Sequence, residues 1–459
     1  MAIITVCRPA PDDGSPFRNG DFMRIIAALC LAASASALAA DYVMDTLENG
    51  LTVIVSPDES APVVTICIAV KTGATCQTEA DCGLAHFYEH MFFKGNASIP
   101  DQTAYNERMG DLGIVQNGST SDEIVRYHIT LPSERLSEGL EFMYYAIATP
   151  LFDEDEMAIE RSVILNEYQR KTTSPYWNYW KARESVLFPS APWRSNGIGL
   201  PEVITSADRS VMDAFRASYY TPDNCALIIA GSVDADSAFA LAERWMSPWE
   251  YGGRSDYDAL PMLVEMDRDT TVTVPTIPGV ELVSIDYAGP SLVTDPSATY
   301  AADVWGTCLD MMNGEFYRDL VTNGPFMDIS AGFYTQRYAP VISFYGTPRP
   351  GRSAEAVEAL EMEIEQLLSP SYYEGYDLHA ATESLRRHRL LSEETSYDVA
   401  VESLAFWWVV GGGLGYYDTY LDSLASVSME DITAFLDEYV SGRPRVTFIL
   451  SPDGGGCPE

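Results

Sequence analysis

Apolar runs and apolar–polar alternation predict β-strands at several places along the chain. Two apolar runs flank a Pro/Asp/Glu/Ser turn within residues 50–73, GLTVIVSPDESAPVVTICIAVKTG. Apolar and polar side chains alternate within residues 121–132, SDEIVRYHITLP, and a short apolar run lies within residues 225–234, CALIIAGSVD. Alternation is typical of a strand with one buried face, and short continuous runs fit strands buried on both faces. These segments therefore predict a sheet.

Helical patterns separate these predicted strands. Residues 83–95, GLAHFYEHMFFKG, are apolar on nearly every side and predict a buried helix that stops at Lys94-Gly95. Residues 133–148 predict an amphipathic helix, and residues 152–171 predict another with acidic residues in its first turn. Strands and helices mixed in this way favour an α+β fold.

The order of predicted elements begins again after residues 250–264, EYGGRSDYDALPMLV, a Gly/Asp/Pro-rich candidate linker. Residues 280–290 predict a strand, residues 298–312 a helix, residues 328–348 a pair of strands, and residues 445–452 a closing strand. Direct sequence repetition is faint, so only the element order repeats. The predicted organisation is residues 1–40 as an upstream extension with a signal peptide at 23–39, a first domain at 41–250, a linker at 251–264 and a second domain at 265–459.

The net charge and the N-terminal segment indicate what the protein binds and where it is located. The chain has 67 acidic and 28 basic residues, a net charge of −39, which argues against binding the phosphate backbone of a nucleic acid. A solvated acidic surface and a field that attracts basic peptides are both consistent with this charge. Residues 23–40, MRIIAALCLAASASALAA, read as a signal peptide with an A-x-A cleavage site at 37–39. The segment is too short for a stable membrane span, so we expect a periplasmic or secreted protein.

An exported chain can form disulfides, and two cysteines lie close together in the sequence. Cys76 and Cys82 flank a short loop, which predicts a disulfide between them. Cys67, Cys225 and Cys308 lie in apolar surroundings and are predicted to be buried free thiols.

Candidate chemistry is concentrated in HFYEH, residues 86–90. The chain has five histidines, and His86 and His90 lie one helical turn apart with Glu89 beside them. Two imidazoles so placed can bind one metal ion, and the carboxylate can take a proton from a water molecule at that ion. The alternative is a chance pair of core histidines, expected in about five chains per hundred. A third ligand is needed to decide.

The helix predicted at residues 152–171 supplies carboxylates for such a site. Glu160 and Glu167 fall on one stripe together with Val163 and Ile164. Two carboxylates on an apolar stripe are unusual for a face that only packs. A solvated acidic edge is a fair alternative in so acidic a chain.

Four segments together resemble the inverted-motif zinc peptidases of the pitrilysin/insulinase family. They are GLAHFYEHMFFKGN, NGSTSDEIVRYHITLP, FDEDEMAIERSVILNEYQR and YYTPDNCALIIAGSVD. The resemblance covers roughly residues 45–450 and is strongest over 83–235. It implies two similar α/β-sandwich domains like those of mitochondrial processing peptidase, each an antiparallel-rich sheet with helices packed on it.

The resemblance also assigns roles to individual residues. It implies that His86, His90 and Glu167 bind one Zn²⁺ per chain, that Glu89 is the general base, and that Glu160 supports the site from outside the ligand set. The activity implied is that of an exported zinc metalloendopeptidase acting on peptides or unfolded protein segments. A non-catalytic peptide-binding or assembly subunit is the alternative.

Substrate contacts are implied on both halves of the chain. Asn117, Gly118 and Ser119 match the edge segment to which family substrates add as a β-strand. In active family members the second domain commonly carries an Arg and a Tyr, seven positions apart around a glycine, and here Leu320 and Met327 stand in those places. Neither side chain can donate a hydrogen bond to a peptide carbonyl. We therefore expect a heterodimer with a second family subunit that carries the pair.

Overall fold

The computed structural model describes residues 41–250, 255, 257–262, 264–311 and 314–452. The predicted signal peptide and part of the predicted linker lie outside the described residues, so the domain boundaries stay predictions. Residues 41–250 are called the first half below, and residues 264–452 the second half.

Strands are distributed over both halves, and all those predicted from the sequence are present. They are β1 Val43–Thr46, β2 Thr52–Pro57, β3 Val63–Val70, β4 Val115–Thr120, β5 Val125–Pro132, β6 Cys225–Gly231, β7 Thr270–Pro275, β8 Leu282–Ala288, β9 Phe326–Phe333, β10 Val341–Pro348 and β11 Arg445–Ser451.

Helices fill the connections between strands. They are α1 Leu84–Met91, α2 Gln102–Leu112, α3 Leu136–Ala148, α4 Glu154–Thr172, α5 Trp177–Leu187, α6 Pro201–Ser206, α7 Arg209–Tyr219, α8 Ala235–Met246, α9 Pro296–Leu309, α10 Glu315–Tyr317, α11 Ser353–Leu367, α12 Leu378–Leu391, α13 Ala405–Val410, α14 Gly415–Ser426 and α15 Met429–Tyr439. A π-helical segment, Asp398–Leu404, leads into α13.

The two halves build sheets with the same strand order, except that the first sheet has β1 as an additional edge strand. The first sheet runs β1-β2-β6-β3-β5-β4 and the second runs β7-β11-β8-β10-β9. In each sheet one pair is parallel, β2 with β6 in the first and β7 with β11 in the second, and the other pairs are antiparallel. The predicted α+β fold and the repeat of element order are confirmed, with sheets that are mixed rather than purely antiparallel.

Each sheet buries one strongly apolar face against helices of its own half. Along β3, Val64, Ile66, Ile68 and Val70 join the core of the first half. Alternate residues point to the opposite face of a strand, yet Thr65 is also fully buried. The opposite face must therefore be covered too, which explains why β3 reads as an almost unbroken apolar run.

The second sheet is covered by a helix from the first half. Helix α5 packs across β7 and β11. Its Tyr179 hydroxyl lies 3.1 Å from Ser284 Oγ on β8, and Arg183 Nε donates to Asp286 Oδ2 at 2.9 Å. Burying this polar strip is tolerable because the polar groups pair across the contact.

The first sheet is covered in return by the second half. The segment Asp398–Val410 packs across β3 and β6. On β5, Arg126 Nη1 donates to Val401 O at 2.6 Å and to Glu402 Oε2 at 3.0 Å. Thr65 Oγ1 lies 2.9 Å from Ser396 Oγ. Each half thus lends one helical segment to the sheet of the other.

The predicted disulfide between Cys76 and Cys82 is wrong. Both cysteines are buried free thiols. The Cys82 thiol is turned toward the turn after α5, where it donates weakly to Trp193 O at 3.7 Å and Asn196 O at 3.8 Å. The Cys82 sulfur contacts these two carbonyl oxygens and is not bonded to Cys76, although the two cysteines are close in sequence. Cys67, Cys225 and Cys308 are buried free thiols, as predicted.

Within the described ranges no single helix is long and apolar enough to cross a membrane. One sharply bent pair, Asp398–Val410 with Gly415–Ser426, meets the length and composition requirement at a bend of 95°.

Candidate metal centre and active site

The helix that carries HFYEH, α1, is held in place by contacts of Gly83, the residue that precedes it. Gly83 precedes α1 with a φ of +100°, a conformation that glycine adopts without strain. A Cβ at this position would lie 2.6 Å from Gly199 Cα, so two glycine backbones meet here. Gln77 Oε1 accepts a hydrogen bond from Gly83 N at 2.6 Å. These contacts anchor the start of α1 and set the direction of its side chains.

Helices α1 and α4 bring together the three residues predicted as metal ligands. His86 Nε2 and His90 Nε2 lie 3.3 Å apart. Glu167 Oε2 lies 3.7 Å from His86 Nε2 and 3.9 Å from His90 Nε2. Among the described residues this is the group of His, Cys, Asp and Glu side chains arranged to hold a metal ion.

The spacing of these three atoms suits zinc. Zinc–nitrogen bonds are about 2.0–2.1 Å, so two ligand atoms of a tetrahedral ion lie about 3.3 Å apart. The observed separations of 3.3, 3.7 and 3.9 Å lie within about 0.6 Å of that value. Two imidazoles and one carboxylate also form the ligand set of a catalytic zinc site, in which a fourth position stays open. The residues present therefore fit the ion, and their ligand role stays a prediction.

Glu160 lies directly behind the His90 ring. Its Oε2 is 2.9 Å from His90 Nδ1, and its Oε1 is 2.6 Å from Lys94 Nζ. Burial alone would raise the pKa of Glu160, but the hydrogen bonds from His90 and Lys94 outweigh it and hold the pKa below its usual value. The charged carboxylate fixes the ring orientation and leaves Nε2 of His90 free to bind a metal.

His86 is held differently. Its Nδ1 is buried and has no hydrogen-bond partner among the described residues. Burial, followed by the charges of His90 and Lys171, lowers the pKa of His86 to about 3. The imidazole is therefore neutral at neutral pH, which is the form that binds metal.

Glu89 points from α1 toward β4. Its Oε2 accepts a 2.6 Å hydrogen bond from Thr120 Oγ1. Burial raises the pKa of Glu89, although the hydrogen bond from Thr120 acts in the opposite direction. A carboxylate with a raised pKa is a better proton acceptor. Gly118 allows this approach, because a Cβ there would lie 2.9 Å from Glu89 Cγ.

The predicted substrate segment lies on an edge strand. Within the described sheet, β4 pairs with β5 alone, with Asn117 opposite His128 and Ser119 opposite Arg126. Its outer edge can accept another strand through main-chain hydrogen bonds. Gly118 N donates to the Asn117 side chain at 2.9 Å. The segment therefore runs beside Glu89, and its substrate-binding role stays a prediction.

Two contributors were missed from the sequence. Thr120 follows the predicted substrate segment by one residue, and Lys94 was read only as a helix stop. Their partners, Glu89 and Glu160, are distant in sequence, so no local pattern signals either contact.

The positions aligned with the Arg/Tyr pair do not provide it. Leu320 is buried and Met327 is exposed. Arg318 is exposed and paired with Glu315 and Asp319.

Arg337 and Tyr338 are another Arg and Tyr of the second half, and both already have partners within the fold. Arg337 Nη2 pairs with Asp258 at 2.9 Å and its Nε donates to the Tyr338 hydroxyl at 2.9 Å. That hydroxyl donates in turn to Tyr257 O. These side chains tie parts of the fold together and leave no free polar pair at this place.

Comparison with known protein families identifies the family of the chain. The profile described as "Insulinase (Peptidase family M16)" matches residues 52–192, and "Peptidase M16 inactive domain" matches residues 206–371. The chain belongs to peptidase family M16. Both profiles fall on the repeated sheets, and the ligand helices α1 and α4 lie within the first match.

Relatives of this M16 chain include an uncharacterised zinc protease of Rickettsia felis, 28% identical over 218 residues, which are 47% of this chain and 52% of the relative. Subunit 1 of the human mitochondrial cytochrome b-c1 complex is 26% identical over 273 residues, 57% of this chain and 55% of the relative. The alignments thus span about half the length of these curated relatives. A solved protease from Helicobacter pylori superimposes with a TM-score of 0.80 at 21% identity, covering 90% of this chain and all of that chain.

Proposed function

We propose that this M16 chain is an exported, zinc-dependent endopeptidase that cuts peptides or unfolded protein segments. The observation that carries the proposal is the placement of three metal-ligand atoms, within 3.9 Å of one another, beside Glu89 and the open edge of β4. An edge strand selects extended chains through their backbone. The signal peptide predicted at 23–39 supports a periplasmic or secreted location.

Each residue of the site has a separate role in the proposed reaction. His86, His90 and Glu167 would hold the zinc ion, which supplies a Lewis acid to polarise the scissile carbonyl. Glu160 keeps the His90 ring oriented. Glu89 takes a proton from the attacking water and passes it to the leaving amine, a transfer helped by its raised pKa. The β4 edge holds the peptide extended, so that the scissile bond stays within reach of Glu89.

Glu89→Gln tests the general base. The amide cannot accept the proton, so we expect at least a hundredfold loss of kcat with an unchanged zinc content. Quenched-peptide cleavage and metal analysis measure the two effects. Glu107→Gln, on the exposed side of α2, is the matched control and should retain activity. Near-normal cleavage by Glu89→Gln would show that the base is assigned wrongly.

Substitution of the ligands tests the metal site separately. His86→Ala, His90→Ala and Glu167→Ala each remove one donor, so zinc bound per chain should fall in each purified variant. Elemental analysis after dialysis against a weak chelator gives the measurement. Full zinc occupancy in all three variants would rule out this ligand set.

A second subunit is part of the proposal. Leu320 and Met327 cannot donate hydrogen bonds to a substrate backbone, so we propose a heterodimer in which the partner supplies polar groups. The isolated chain should bind zinc and cleave peptides weakly or not at all, because a misplaced peptide reacts slowly. Robust cleavage by a pure monomer or homodimer would contradict the heterodimer and leave the zinc site intact.

A non-catalytic peptide-binding or assembly subunit is the second candidate function. The relative in the cytochrome b-c1 complex is a subunit of an assembly, and the second profile describes an inactive domain. The retained ligand set counts against this candidate. Bound zinc without peptide cleavage, both for the chain alone and for a co-purified complex, would favour it.

A further inference from the structure

A cavity of about 260 Å³ lies between the two halves, beyond the end of β4. The first half contributes Asp122, Trp180, Arg183, Glu184 and Arg194, and the second half contributes Tyr334 and Gln336. None of these residues belongs to the proposed metal centre.

Arg194 is the unusual member of the cavity wall. It is 8% exposed, and its Nε donates to Thr75 O. Its Nη2 is buried without a hydrogen-bond partner among the described residues, and no described carboxylate lies within ion-pairing distance of it. Burial lowers the pKa of Arg194. In a chain with 67 acidic residues, a buried arginine without a carboxylate is unexpected, because buried charges are paired.

The other charged groups of the cavity are already engaged. Arg183 is paired with Asp286 at 2.9 Å, and Glu184 is paired with Lys181 at 2.6 Å. Burial raises the pKa of Asp122 to about 6, and a hydrogen bond with the Gln336 side chain opposes this. Nη2 of Arg194 is therefore a buried donor in this wall that has no acceptor among the described residues.

The cavity adjoins the turn that links β4 to β5. Asp122 follows the end of β4 by two residues, and its carbonyl accepts hydrogen bonds from Thr75 N and Thr75 Oγ1. Thr75 O in turn holds Arg194. The residues between Thr120 and Val125 form the turn of the β4–β5 hairpin, so the cavity lies at the end of the strand that carries Gly118.

We propose that Arg194 forms an accessory subsite that binds a carboxylate of the peptide substrate, beyond the residues that lie along β4. This inference rests on the proposed peptidase function and adds a substrate class to it. The carboxylate is either an acidic side chain or a free C-terminus, since both offer the two oxygens that match a guanidinium.

Peptide binding to the zinc-loaded full chain carrying Glu89→Gln tests the subsite without turnover. The probes are fluorescent peptides with blocked ends, in which a single Glu is moved along an otherwise constant sequence, each with a Gln counterpart. One Gln peptide with a free C-terminus distinguishes a terminal carboxylate from a side chain. Anisotropy should show one position at which the carboxylate peptide binds roughly tenfold more tightly.

Substitutions then locate the effect. Arg194→Gln should abolish the preference, and Arg194→Lys should keep part of it. Arg209→Gln removes an exposed arginine of α7 whose partner is Asp213, and it should keep the full preference. Thermal melting of each variant shows whether it folds. If Arg194→Gln does not fold, Arg194→Lys and the preference of the parent chain decide.

The outcomes separate this inference from the function beneath it. Equal binding of Glu and Gln peptides at every position, or a preference that survives both Arg194 variants, overturns the subsite. Failure of the chain with Glu89 intact to cleave any peptide, alone or with its partner, overturns the endopeptidase function. Absence of peptide binding, both by the chain alone and by its complex with the partner subunit, overturns both.

Discussion

At the residue scale, Gly118 controls the position of the proposed base. A Cβ at this position would lie 2.9 Å from Glu89 Cγ and 3.3 Å from Tyr127 Cδ1. Gly118→Ala should therefore displace the Glu89 carboxylate and lower kcat/KM about 10–100-fold, with zinc content unchanged. Gly110→Ala is the control, because a Cβ there meets nothing within 4 Å. Unaltered kcat/KM in Gly118→Ala would mean that Glu89 tolerates the shift.

The sequence predicts some of the site residues and gives no sign of others. The helical period places His86 and His90 on one face of α1 and Glu160 and Glu167 on one face of α4, and the structure brings these four side chains together. The hydrogen bond from Thr120 to Glu89 joins a strand to a helix, so it depends on tertiary packing that no period encodes. The Cys76–Cys82 prediction failed for the same reason, since a neighbouring turn holds the Cys82 sulfur.

At the element scale, a buried ion pair helps to hold α5 against the second sheet. Asp286 is fully buried, and its Oδ1 has no hydrogen-bond partner among the described residues, so Arg183 is the group that neutralises it. Arg183→Met should destabilise the chain by about 3 kcal/mol, because it leaves a buried charge unpaired. The double variant Arg183→Met/Asp286→Leu should recover most of the loss. Urea unfolding of both variants provides the measurement, and a loss below about 1 kcal/mol for Arg183→Met would contradict it.

The strands and the long helices were predictable, because each buries a regular face within its own half. Helix α5, with the sequence WNYWKARESVL, was not predicted. Its aromatic and charged side chains match a polar strip on the other half's sheet, including Ser284 and Asp286. A binary pattern reveals an apolar face, and this contact is partly polar.

At the scale of the whole molecule, Glu123 joins the halves through the backbone. Its Oε1 accepts from Arg337 N at 3.0 Å and Tyr338 N at 2.7 Å. Burial raises the pKa of Glu123 to about 7, although these two hydrogen bonds act against it. The folded state therefore binds a proton more tightly than the unfolded state, whose pKa is about 4.3. Stability contributed by this group is full below about pH 4.3 and is lost as pH rises to about 7.

Glu123→Gln removes this titration. Between pH 5 and pH 8 the variant should lose less stability than the parent chain, by an amount on the order of 2 kcal/mol. Urea unfolding at both pH values gives the comparison, with Glu134→Gln on an exposed turn as control. Parallel stability–pH curves for the parent and Glu123→Gln would show that Glu123 is not protonated on folding.

Each half covers the other half's sheet with one helical segment, and this exchange suggests how the chain evolved. Two copies of a single half, each covering the other's sheet with one segment, would form a closed twofold pair, and fusing two such genes end to end yields this topology. A half produced alone would leave the strip around Thr65, or that around Asp286, facing water. We therefore expect neither half to persist as a monomer, whereas separately produced halves should find each other and restore the fold.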